Sequence, residues 1–147
     1  RKTDTVKTYE YRIDCEEFAD PLKTRYAYFT YVPLDASKMQ EAAFHLIGTH
    51  DFKSFCSVNT TATTTVRTIY DIQVIRDGVD IIVRITGNGF LYNMVRIIVG
   101  TLMDVGRGKY TPDKVKDILE ATDRTAAGPT VPACGLMLKE LHFLERK

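Results

Sequence analysis

The chain has 147 residues, 44% hydrophobic and 27% charged, enough for one domain with a real core. It contains no apolar run of about 18 residues and its first residues are polar and charged, so the expectation is a chain with neither a membrane span nor a signal peptide, at a cytoplasmic address. With 20 basic residues against 19 acidic ones, composition argues neither for nor against a nucleic-acid partner, because it reports a total and not a face.

Residues 5 to 13 place Val6, Lys7, Tyr9, Tyr11 and Ile13 in near alternation and predict a strand with an aromatic face. Asp20-Pro21 marks a turn, and Arg25 to Val32 predicts a second, aromatic-rich strand. Its tyrosines 26, 28 and 31 read as sheet surface and core rather than as base-stacking platforms. A helix follows, with Asp35 as N-cap, Gly48 as its stop, and Met39, Ala42, Ala43, Leu46 and Ile47 as its buried stripe. His45 on this helix reads as structural.

In His50-Asp51-Phe52-Lys53-Ser54-Phe55-Cys56 the first two residues resemble an acid/base pair, but adjacent side chains need not converge. Phe52 and Phe55 read as anchors that pack the segment onto the core. The polar run from Asn59 to Thr65 predicts a mobile loop. Val66 to Ile75 and Val79 to Thr86 are two strands joined at Asp77-Gly78, a hairpin signal. The second puts Val79, Ile81, Val83 and Ile85 on a core face and Asp80, Arg84 and Thr86 on a face turned mainly to solvent.

The hairpin leads through Gly87 and Gly89 into the stretch Phe90 to Val105, whose apolar residues are not confined to one stripe. A helix here must be covered on nearly all sides. Its one basic residue is Arg96. A guanidinium cannot lose its charge, so burying it requires an anion or several well-placed acceptors. Two readings stand: a structural ion pair with Asp104 or another acid of the chain, or a side chain that reaches a site and keeps a carboxylate ionised.

Gly106 and Gly108 end this helix, and Thr111-Pro112-Asp113 opens a third, with Val115, Ile118 and Leu119 buried. Residues 123 to 134, with Gly128-Pro129 and Pro132, form an extended loop long enough to line a cleft. Gly135 to Phe143 closes the chain with a strand. Five strands and three helices in this order predict a single α+β domain over residues 1–147, with a mainly antiparallel sheet and helices packed on one face. Cys15, Cys56 and Cys134, odd in number and widely spaced, predict reduced thiols and no metal site.

The run Gly-Asn-Gly-Phe-Leu-Tyr-Asn-Met-Val-Arg-Ile-Ile-Val-Gly-Thr-Leu from Gly87 to Leu102 closely resembles the signature helix of the tRNA pseudouridine synthase A (TruA) family. Shorter segments resemble the same family in the same order. They are Lys7 to Ile13, Pro33-Leu34-Asp35 with Met39 and Ala42-Ala43, Gly48 to Phe52 with Phe55, Val66 to Ile69, and Gly128-Pro129-Thr130 with Pro132-Ala133 and Gly135-Leu136.

The resemblance implies isomerisation of uridine to pseudouridine in the anticodon stem-loop of tRNA, without an organic cofactor or metal. It implies tRNA as partner and a homodimeric parent enzyme. The family's nucleophilic aspartate lies in a Gly-Arg-Thr-Asp-Ala-Gly motif in the first half of the enzyme, and this sequence has no such motif. The chain is therefore expected to be the C-terminal subdomain, inactive without the N-terminal half. By position, Arg96 matches the arginine that pairs with the catalytic aspartate, and Tyr9 matches the active-site tyrosine against the target base. Leu136 is expected as an apolar wall beneath the base. Arg67, His50 and Lys53 are candidate phosphate contacts. Phe143 departs from a tyrosine common in the family. The reading from another class is a non-catalytic α+β RNA-binding module. A pure dimerisation domain is a third, and would need a large exposed apolar patch. In the enzyme reading Arg96 lacks its acid within this chain, so the cleft wall is expected to be covered by another chain, or Arg96 to meet water or a solvent anion.

Overall fold

The computed structural model describes residues 3–58 and 60–145. The elements run β1 (Thr3–Asp14), β2 (Tyr28–Phe29), α1 (Ala36–Ala43), β3 (Gly48–Asp51), β4 (Val66–Asp77), β5 (Asp80–Gly87), α2 (Met94–Gly106), α3 (Lys114–Ala121) and β6 (Leu136–Glu145). This is an α+β fold. The sheet order is β2-β1-β5-β4-β3, with β6 also on β1. All pairings are antiparallel except β1 with β2. β5 takes one edge of β1. β6 takes the other edge along Thr3–Tyr11, and β2 follows it at Ile13–Asp14.

Register sorts the side chains. Tyr9, Tyr11 and Ile13 stand opposite Ile85, Val83 and Ile81, and Ile85 and Val83 stand opposite Ile72 and Val74. Residues directly opposite share a face, so these form the floor of the core. Onto it pack Met39, Ala42 and Ala43 of α1, the apolar residues of α2, which is buried at every position but Arg96, and Val115, Ile118 and Leu119 of α3. The reverse face is polar. Thr8 and Thr86 share a hydrogen bond of 2.9 Å, Arg84 pairs with Glu10 at 2.6 Å, and Arg12 pairs with Asp80 at 2.8 Å. Asp80 is buried there because Arg12 and Lys23 cover it. The Lys23 ammonium lies 2.7 Å from Glu16 and 3.0 Å from Asp80, and these carboxylates raise its pKa, Glu16 most. It is the counter-ion of the clustered carboxylates Asp14, Glu16 and Asp80.

Four expectations need correction. The strand expected over 25–32 shrinks to Tyr28–Phe29, because the preceding residues turn: Lys23 N–H donates to the Asp20 carbonyl, and Ala27 N–H to that of Lys23. A sixth strand, β3, pairs Gly48–Asp51 with Val66–Ile69. The β4–β5 turn is centred on Gly78-Val79, with positive φ only at Gly78, the type II′ pattern. Finally, α2 begins at Met94, four residues late, because Asn93 is left-handed at φ 62° and cannot belong to the helix. The polar loop expected over 59–65 includes Asn59, which lies outside the described residues. Among the described residues no helix is long and apolar enough to cross a membrane.

Candidate active site

The cleft forms where β1, the start of α2 and the segment before β6 meet. It is about 360 Å³ in volume and is lined by Tyr9, Phe90 to Arg96, Ala133 and Leu136. Tyr9 projects from the core face of β1, and its ring meets Phe90 edge-to-face, with centroids 5.2 Å apart at 90°. Such a contact fixes the ring while leaving its rim to the cleft.

The 123–135 segment is laid directly on α2. A Cβ at Gly100 would stand 1.9 Å from the Pro129 carbonyl oxygen, so only glycine admits the segment at this depth. Thr101 Oγ1 accepts from Gly128 N–H at 2.9 Å, and Arg124 Nη1 donates to the Gly128 carbonyl at 2.9 Å. Further on, Tyr11 Oη donates to the Pro132 carbonyl at 2.5 Å. Burial pushes the Tyr11 phenol's pKa well up. At Gly135 a Cβ would lie 2.7 Å from the Arg12 carbonyl and 2.8 Å from the Tyr11 ring. This close pass delivers Leu136 to the cleft, in register with Tyr11 and on its face.

Arg96 is the half-buried exception in a helix otherwise buried throughout. Its Nε donates to the Val131 carbonyl at 2.8 Å and Nη1 to Asn93 Oδ1 at 2.9 Å. Both acceptors are neutral. Among the described residues no acid forms an ion pair with it. Asp104 lies two turns along α2 and faces Arg107 at 3.7 Å and Lys109 at 3.9 Å. Of the two readings open in the sequence, the structural pair with Asp104 is therefore excluded.

The candidate phosphate contacts do not come together. Arg67 borders a second cavity of about 340 Å³, walled by Thr60, Thr61, Ala62 and the same Phe90, Leu91 and Tyr92 that line the cleft. Its Nη1 donates to the Thr64 and Val66 carbonyls at 2.8 and 2.7 Å. His50 and Lys53 stand in separate hollows. His50 Nε2 is bonded to the Ile47 carbonyl at 2.9 Å, and Asp51 accepts from Lys53 N–H and Thr65 Oγ1. His50-Asp51 is thus not an acid/base pair. Phe90, Tyr92 and Asn93 also line the cleft, and no pattern in the sequence assigns them a role. Their only signal was membership of the motif around Arg96.

A family profile described as tRNA pseudouridine synthase matches residues 42–143. The tRNA pseudouridine synthase A of Bacillus velezensis is 53% identical over 132 residues, covering 90% of this chain and 53% of that protein. Those of Brevibacillus brevis and Bacillus subtilis are 51% and 50% identical, covering 94% and 93% of this chain and 57% and 56% of theirs. The chain belongs to the TruA family. It spans about half the length of the curated relatives it matches. TruA membership makes the chain part of an isomerase family, and its cleft holds an arginine that meets no acid among the described residues.

Proposed function

We propose that this chain is the C-terminal part of a tRNA pseudouridine synthase that isomerises uridine in the anticodon stem-loop, and that it supplies one wall of the active-site cleft. The observation that carries the reading is the convergence of Tyr9, Arg96 and Leu136 on one cleft, with the Arg96 charge unpaired by any described acid.

The reaction breaks the bond from N1 of uracil to ribose C1′, turns the base, and forms a bond from C5 to C1′. C5 loses a proton and N1 gains one, so no redox partner is needed. A carboxylate nucleophile and an extruded nucleotide are required. The N-terminal half brings the aspartate, and Arg96 pairs with it, keeping it ionised and oriented. Tyr9 offers a ring face to the base and a hydroxyl for proton transfer. Leu136 closes the apolar side. Arg67 meets the RNA backbone beside the cleft, and His50 and Lys53 meet it further out. Leu138 and Leu141 continue the cleft face of β6 half exposed, and Tyr92 is 70% exposed. The N-terminal half covers this rim, and the parent enzyme works as a cytoplasmic homodimer.

Substitution separates catalysis from simple RNA binding. With the N-terminal half present, Arg96→Gln is expected to lower turnover about 10³-fold, with tRNA affinity within about threefold. A non-catalytic RNA-binding module predicts the reverse, with aromatic substitutions weakening binding and Arg96→Gln affecting folding alone.

A further inference from the structure

Asn93 stands just before α2, where an asparagine ordinarily turns its oxygen onto the free N–H groups of the first helical turn. It makes no such cap. Its Oδ1 accepts from Arg96 Nη1 at 2.9 Å, and its Nδ2 donates to Ser57 Oγ at 2.9 Å. Its backbone is left-handed at φ 62°, where glycine is relaxed and a residue with a side chain is held only by its surroundings. The flanking chain is fixed as well. Ile97 N–H donates to the Asn93 carbonyl at 2.9 Å, and Ser57 N–H to the Tyr92 carbonyl at 3.2 Å. With Val131 on Nε, two of the three guanidinium nitrogens are held, and no described residue accepts from Nη2.

We propose that Asn93 is a positioning residue. Its amide oxygen locks the plane of the Arg96 guanidinium so that the remaining donors face the incoming carboxylate. Its amide nitrogen ties that orientation to Ser57, which precedes the residues walling the Arg67 cavity. The inference rests on the proposed pairing of Arg96 with the nucleophile. Carboxylate–guanidinium pairing is planar and directional, so a fork free to rotate meets its partner only part of the time. The residue type follows from this task. A glycine would relieve the backbone but hold nothing, and an aspartate would neutralise Arg96 and compete with the nucleophile. A carboxamide orients the cation without satisfying its charge.

The test compares Asn93→Gly, Ser57→Ala and Arg96→Gln in the parent enzyme that carries both halves, and follows guanidinium rotation of Arg96 by ¹⁵N NMR in that enzyme. Asn93→Gly is expected to melt no lower than the unmodified enzyme, to lower kcat about tenfold or more with KM little changed, to move the acid limb of the kcat–pH profile upward, and to speed guanidinium rotation. Ser57→Ala, which leaves the amide oxygen beside Arg96, is expected to cost less. Unchanged rotation and unchanged kcat in Asn93→Gly, with Arg96→Gln inactive, would overturn the positioning role alone. Full turnover by Arg96→Gln would overturn the reading of the site itself, whatever the rotation rate.

Discussion

Arg96 and Val131 hold each other twice: Arg96 Nε donates to the Val131 carbonyl at 2.8 Å, and Val131 N–H donates to the Arg96 carbonyl at 3.4 Å. The arginine's direction and the path of the 123–135 segment are one structural unit. Anything that lifts the segment from α2 therefore removes an acceptor from Arg96.

Gly100→Ala tests that unit. The added methyl would stand 1.9 Å from the Pro129 carbonyl oxygen and 3.0 Å from its carbon, so backbone has to move. The expected loss is about 2–3 kcal/mol, roughly 6–12 °C in Tm for a domain of this size. Thermal melts measure it, and an unchanged Tm would show that the segment does not lie on the helix.

Tyr11→Phe leaves the Pro132 carbonyl without its donor, at an expected cost of about 1–2 kcal/mol. The pH dependence has a definite sign. Burial raises the phenol's pKa in the fold, so below about pH 10 both folded and unfolded forms are protonated and nothing is lost. Above that the unfolded phenol ionises first, and stability falls as pH rises. Near-ultraviolet titration should find one of the eight tyrosines protonated until the fold is lost, and Tyr11→Phe should remove that step.

The fold class was legible because alternation in Ile81, Val83 and Ile85 and all-round apolarity after Phe90 are direct consequences of burial on one face and on every face; Val79, expected on the same core face, sits in the turn and is half exposed. The short strands were not. β2 and β3 exist only through pairing with Ile13–Asp14 and Val66–Ile69, a tertiary effect that no local pattern carries. Arg96 stood out as an obligatory charge in a buried helix. Tyr9 and Leu136 carried no residue-level signal beyond a half-buried strand aromatic and a strand leucine, so only the resemblance marked them. Asn93 was invisible as a helix breaker because asparagine's tolerance of positive φ is a permission, not a signal.

At the acid end two carboxylates matter. Asp35 is held below its usual range by the Lys38 N–H and then by Ser37, and Asp123 by the Thr125 N–H and hydroxyl. A lowered folded pKa gives stability that is present above about pH 4 and lost as pH falls through the folded value. Asp35→Ala and Asp123→Ala should each flatten the acid limb of a Tm–pH curve. A limb unchanged in both would show that these caps do not hold in solution.

Arg67→Gln should weaken binding of an anticodon stem-loop about equally for different sequences, and should reduce the slope of log K against log salt by roughly 0.7–1. A change that depends on base identity would instead mean that Arg67 reads a base edge.

The central claim is tested most directly by tritium release from tRNA carrying 5-tritiated uridine, because isomerisation frees the hydrogen at C5. No release from this chain alone, and release on mixing it with the N-terminal half that bears the aspartate motif, is the predicted result. Release from this chain alone would contradict the account, since one of its own acids would then be the nucleophile and Arg96 would not be waiting for a partner.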